Sequence, residues 1–193
     1  MHGSDQRRGV RAALYLRSLL PESYHQQQTA VLDRTAALVE DGPLAERNVH
    51  VWGDRAPANR ADARTAVGEY ARDRVTVFRE WAAANGLSLT PAFEMREVDA
   101  TMHDTHYRAI RFPAVLLAEY RGADLVCVTP HTDGDEVTTV SDRLAELEAG
   151  DPTQYEAIAQ AAVADPPTRV ASVRSVTEEE DADGADHDLL TTN

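Results

Sequence analysis

The chain has no lysine: all nineteen of its basic residues are arginines, set against thirty-three acids for a formal net charge of −14. A surface of Asp, Glu and Arg fits a protein that stays dispersed in concentrated salt, where screening shortens the reach of charge. The composition therefore reads as that of a haloarchaeal, cytoplasmic protein. Cysteine is nearly absent as well. Cys127 stands alone, which excludes an internal disulfide, a CxxC pair or a cysteine-rich zinc site. Long apolar runs are missing: the longest, Pro113 to Ala118, is far short of the roughly twenty residues that cross a bilayer. Met1 to Gly9 is polar and leads straight into an apolar segment, without the apolar region of a secretion signal. No internal repeat and no complete catalytic or ligand motif occurs, so the chain reads as non-enzymatic, with no cofactor.

What is present is a regular alternation of elements. Val10 to Leu16 is a short apolar run bounded by polar residues, the pattern of a buried strand. Tyr24, Gln28, Val31, Leu32, Thr35, Leu38 and Val39 recur at helical spacing between Pro21 and Gly42-Pro43. A second strand follows from Asn48 to Gly53, and a long helix from about Arg60 closes at Asn85-Gly86, with Val67, Tyr70, Arg74, Phe78 and Trp81 on one stripe. Phe93 to Val98 alternates like a strand, and Asp99 to Tyr107 is polar. The apolar runs Pro113 to Glu119 and Leu125 to Thr129 flank a turn and predict a β-hairpin. Ser141 is placed to cap a helix that ends at Gly150, and a shorter alanine-rich helix is expected from Thr153 to Ala164.

The domain expectation is a flexible N-terminus (1–9), an α/β domain (10–150), a C-terminal helix (151–167) and an acidic disordered tail (168–193). The tail alters the weight of the net charge. Seven acids lie after Arg174 with no base among them, so the chain through Val176 carries only −7. The body keeps enough arginine for a local anionic contact.

A strand, helix, strand, helix, hairpin, helix order predicts an α/β sandwich with a mixed sheet of four to five strands and flanking helices. It resembles the glutaredoxin and thioredoxin-like fold, and Tyr15-Leu16-Arg17-Ser18-Leu19-Leu20-Pro21-Glu22-Ser23 resembles the approach to that family's redox motif. Leu20 and Ser23 stand at the positions of the two cysteines, which implies a redox-inactive relative. Phe112-Pro113 resembles the cis-proline position facing that motif. The groove implied by the resemblance is formed by Leu20, Ser23, His25, Arg111 and Pro113, with Arg111 and the helix amides available to an anion or a protein partner. Cys127, inside an apolar strand, reads as an inert core residue.

The phrases Val51-Trp52-Gly53, Phe78-Arg79-Glu80-Trp81-Ala82 and Leu117-Ala118-Glu119-Tyr120-Arg121-Gly122 resemble a haloarchaeal family labelled as helix-turn-helix proteins. That resemblance implies DNA as the partner. The one adjacent helix pair, Ser141 to Gly150 and Thr153 to Ala164, has no arginine in its second helix; only Gln160 and Thr153 suit base contact. His103 and His106, with Asp104 between them, are metal candidates for which no further ligands can be named. His131, Asp133, Asp135 and Glu136 read as a solvated loop, and Trp52, Tyr70, Phe78 and Trp81 as core.

Overall fold

The computed structural model describes residues 9–18, 25–59, 65–90, 92–100, 105–151 and 154–159. Its centre is β1 (Val10–Leu16), whose side chains divide between two cores. Ala12, Leu14 and Leu16 face one core, and Ala13 and Tyr15 face the other. A strand covered on both faces needs a continuous apolar run, which is what the sequence displays.

The helix α1 (His25–Glu40) carries the chain across to β2 (Leu44–Val51), which lies parallel to β1 with Leu14 opposite Val49. On its other side β1 pairs antiparallel with β6 (Val115–Arg121), Leu14 opposite Leu117. Strand β7 (Asp124–Thr129) folds back along β6 over a two-residue turn at Gly122, whose φ of 63° is costly for any residue with a Cβ. A two-residue strand, β10 (Ile158–Ala159), pairs with β7 and completes a mixed sheet in the order β10-β7-β6-β1-β2.

Helices cover both faces. α1 and α3 (Val140–Ala149) bury Val31, Leu38, Val140, Leu144 and Leu147 against one face, and the Arg34 guanidinium joins them through Glu148 at 2.7 and 2.9 Å. α2 (Ala66–Ala84) lays Tyr70, Val75, Phe78 and Trp81 on the other. Trp52, Tyr70, Phe78 and Trp81 are thus core residues, with Trp52 stacked on Phe112 at 4.3 Å. Beneath α3 the sheet holds one buried ion pair, Arg143 with Glu119, bidentate at 2.7 and 3.0 Å.

Two small sheets attach to this body. One has the order β3-β5-β4, from β3 (Arg55–Pro57), β4 (Glu94–Ala100) and β5 (Thr105–Arg111); the other is a hairpin of β8 (His131–Asp133) and β9 (Glu136–Thr138). The three-stranded sheet is tied down where Phe112 N–H donates to Asp54 O at 2.9 Å.

Four expectations need correction. The stretch read only as polar, Asp99 to Tyr107, contributes to a pair of strands, since Thr105–Arg111 pairs with β4 over its whole length. The last helix is capped by Thr139 rather than Ser141: Thr139 Oγ1 accepts from Asp142 N at 3.2 Å while Asp142 returns the contact to Thr139 N, a closed capping box. No helix occupies 154–159. There Tyr155 inserts edge-on against Trp81 and β10 pairs with the sheet, so tertiary contacts override the alanine-rich helix propensity. The peptide before Pro113 is trans; the cis peptide among the described residues is Thr129-Pro130. Of the expected termini, 1–8 and 160–193 lie outside the described residues. Among the described residues, no helix is long and apolar enough to cross a membrane.

Candidate functional site

Two of the five residues of the groove expected from the sequence line one cleft. Leu20 and Ser23 lie outside the described residues, and His25 is the first residue of α1. Arg111 and Pro113 do come together, in a cleft of about 180 Å³ also lined by Arg17, Ala92, Glu94 and Phe112. The fold builds it at a junction. β5 ends at Arg111, the chain crosses Phe112 and Pro113, and β6 starts at Val115, so the cleft sits between the small sheet and the end of the large one. Phe112 is the fixed point, fully buried against Trp52 and Phe93. Gln28 of α1 donates to Ala114 O at 3.2 Å, which places that helix beside the same junction.

Arginine dominates the cleft. Arg17 is half-buried, and its Nε and Nη2 donate to Phe112 O at 3.1 and 2.5 Å, holding the guanidinium at the rim. Arg111 is exposed and makes no hydrogen bond or ion pair with any described residue. Glu94 is the one acid in the lining, and Arg96 already engages it at 2.7 and 3.1 Å. Register extends the pattern outward. Arg55, Arg111 and Glu94 are direct neighbours in one row across β3, β5 and β4, and Arg96 projects from the same face two residues along. Such an array suits an anion bound by guanidinium forks; it contains no nucleophile and no general base beyond Glu94.

The other predicted positions have different fates. His103 lies outside the described residues, and His106 falls on β5 opposite Asp99. Among the described residues no group of three or more His, Cys, Asp or Glu is placed to hold a metal. His131 is not a solvated loop residue: it is buried, with Nδ1 donating to Val128 O at 2.7 Å and Nε2 accepting from the Tyr155 hydroxyl at 2.8 Å. The remaining acids of that cluster, Asp133, Asp135 and Glu136, are exposed as expected. Cys127 is buried, and burial beside Glu119 pushes its thiol well above the usual range, so it is not a ready nucleophile.

A second polar cluster was not legible as such. Under α2, Tyr15, Tyr70 and Tyr120 surround Arg74, whose guanidinium lies 5.5 Å from the Tyr70 ring centre, and Arg11 lies 5.1 Å from that of Tyr120. His50 stacks on Tyr15 at 4.9 Å, and burial, helped by Arg74 and Arg11, lowers its pKa to about 4. These groups stack on one another in the core, where His50 Nδ1 is buried without a hydrogen-bond partner among the described residues.

Comparison with known families now has a structure to be read against. A family model described as a helix-turn-helix domain matches residues 4–152, more than three-quarters of the chain. The chain belongs to this helix-turn-helix domain family. No curated protein and no solved structure matches it. Within the span of the helix-turn-helix family match, the described helices are separated by strands, and no two of them are joined by a tight turn. The helix pair expected after Ser141 is not formed at 154–159, so the described part of this family member offers no recognition helix at that place.

Proposed function

We propose that the chain is a DNA-binding regulatory domain. The observation that carries this reading is membership of the helix-turn-helix domain family over residues 4–152. The charge distribution supports it. A body that is only moderately acidic gathers Arg17, Arg55, Arg96 and Arg111 around one junction with two acids, and neutralising phosphate charge is the dominant, salt-dependent term in binding DNA. A high-salt setting, suggested by the lysine-free composition, weakens that term without removing it. Incubating the protein with sheared genomic DNA in molar salt tests the reading. Enrichment of particular promoter fragments is the expected outcome, and recovery of no fragment above background counts against it.

A second reading, a redox-inactive thioredoxin-like interaction module with a protein partner, has one observation in its favour. What supports it is the element order that carries the resemblance: a parallel pair, β1 and β2, joined across α1, and the antiparallel hairpin β6–β7. It describes a scaffold, and a scaffold does not fix a function. Disulfide-reductase activity is expected to be absent in high salt; activity that survives Cys127→Ser would overturn the redox-inactive reading.

A further inference from the structure

We propose that the surface meeting the DNA backbone is the exposed face of the three-stranded sheet, with Arg55, Arg96 and Arg111 as phosphate contacts and Arg17 at its border, and that no helix is needed for it. The proposal rests on the DNA-binding reading above and assigns that reading a site. Three features carry it.

The first is an electrostatic cost with no internal compensation. Arg55 and Arg111 are directly opposite on antiparallel strands, where like charges destabilise pairing. Acids are too few to cancel them. Asp54 approaches Arg55 at 3.7 Å, Glu94 is held by Arg96 at 2.7 Å, and Arg111 has no acid among the described residues. Four arginines face two acids. An anion docked on this face removes the repulsion.

The second is contrast with the other arginines. Arg34 is paired with Glu148, Arg143 is buried with Glu119, Arg72 is paired with Asp73, and Arg47 donates to Leu32 O at 2.6 Å. Arg79, Arg108 and Arg121 are exposed too, but on α2, on the other face of β5 and at the end of β6; the sheet face differs in gathering several exposed guanidiniums together, the Arg55 and Arg96 side chains being 48% and 60% exposed.

The third is preorganisation. Strand pairing fixes the three side chains about 5 Å apart across the sheet and about 7 Å apart along it. Arg17 is held at the rim by its bonds to Phe112 O. A diester phosphate accepts forked contacts from such a row with little ordering cost, since the arginine fork matches phosphate geometry.

The test compares four proteins by fluorescence anisotropy on a labelled random-sequence DNA duplex across a salt series. They are the full chain, Arg111→Ala, the Arg55→Ala/Arg96→Ala/Arg111→Ala triple variant, and Arg34→Ala as a control on the opposite side. Circular dichroism and thermal melting check that each is folded. Each phosphate contact should account for about a three- to fourfold loss of affinity over a fourfold rise in salt, so removing one should weaken binding and shrink the slope of log K against log salt by about 0.9. The triple variant should lose about 2.7 of that slope, and Arg34→Ala nothing. A full chain that binds DNA with a slope unchanged in the folded triple variant overturns the site and leaves the DNA-binding reading standing. A full chain that binds no DNA overturns both. Tighter binding to the RNA of the same sequence than to the DNA overturns the assignment of ligand.

Discussion

The two main sheets of this molecule are built on opposite terms. In the five-stranded sheet every residue of β1 from Ala12 to Leu16 is buried, and the buried carboxylate of Glu119 is matched by Arg143 of α3, which Glu146 also engages at 2.6 Å. The three-stranded sheet buries Ala56 and Ile110 in the core and carries Arg55, Arg96 and Arg111 on its other face around the small, buried Ala109, with incomplete neutralisation. Charge in the first is a structural group that must keep its partner. Charge in the second is displayed, and its removal costs the fold little. The difference teaches where to look for function in an acidic chain: where exposed arginines cluster in excess of the acids beside them.

The largest expected effects lie in the large sheet. Arg143→Met strands the Glu119 carboxylate in the core and should cost about 3–5 kcal/mol in urea denaturation. Replacing both partners by apolar residues should recover most of that loss. Trp81→Ala removes a fully buried ring and should cost about as much, 3–5 kcal/mol. A cost below about 1 kcal/mol for both would mean that the large sheet is not the stability core.

Acid should expose the same core through His50. Its pKa is depressed to about 4 in the fold against an ordinary value of 6.5, so the folded state favours the neutral ring. The contribution is intact above pH 6.5, declines as pH falls, and is lost below about 4, on the order of 3 kcal/mol in total. His50→Gln should flatten the stability profile between pH 6.5 and 4, read by thermal melts across that window. A profile equally steep in the variant assigns the acid sensitivity elsewhere.

Tyr155→Phe probes the edge of the large sheet more gently. It leaves His131 Nε2 buried without its donor and should cost about 1–2 kcal/mol. It should also raise hydrogen exchange in β10, whose backbone Asn85 braces through Glu156 at 2.7 and 3.0 Å. Cys127 supplies a graded check on the same region: thiol reagents should label it in denaturant and leave it untouched in the native protein.

How much of this was legible in the sequence follows from what each element depends on. β1, α1 and the β6–β7 hairpin were readable because their patterns are local: a run buried on both faces, a 3.6-residue stripe, two apolar segments about a glycine turn. β5 was not, since Thr105–Arg111 shows no apolar alternation, with Ala109 and Ile110 on opposite faces, and owes its conformation to pairing with β3 and β4. Residues 154–159 misled for a related reason. Their alanine content favours a helix, but the Tyr155 contacts with Trp81 and His131 come from elements distant in sequence. In the candidate site, Arg111 and Pro113 were identified from the implied groove. Arg55 and Arg96 gave no signal, because their apposition exists only in the register of three strands. The buried place of His131 was hidden by the acids that follow it.

The comparison between the sheets is tested most directly by measuring thermal stability and DNA affinity together on Arg111→Glu. With no described partner to lose, this substitution should leave stability within about 0.5 kcal/mol of the parent. It should at the same time weaken DNA binding and shrink the salt slope by at least the 0.9 or so expected of one lost phosphate contact. A variant that melts far earlier while folded protein still binds DNA as before would contradict the account.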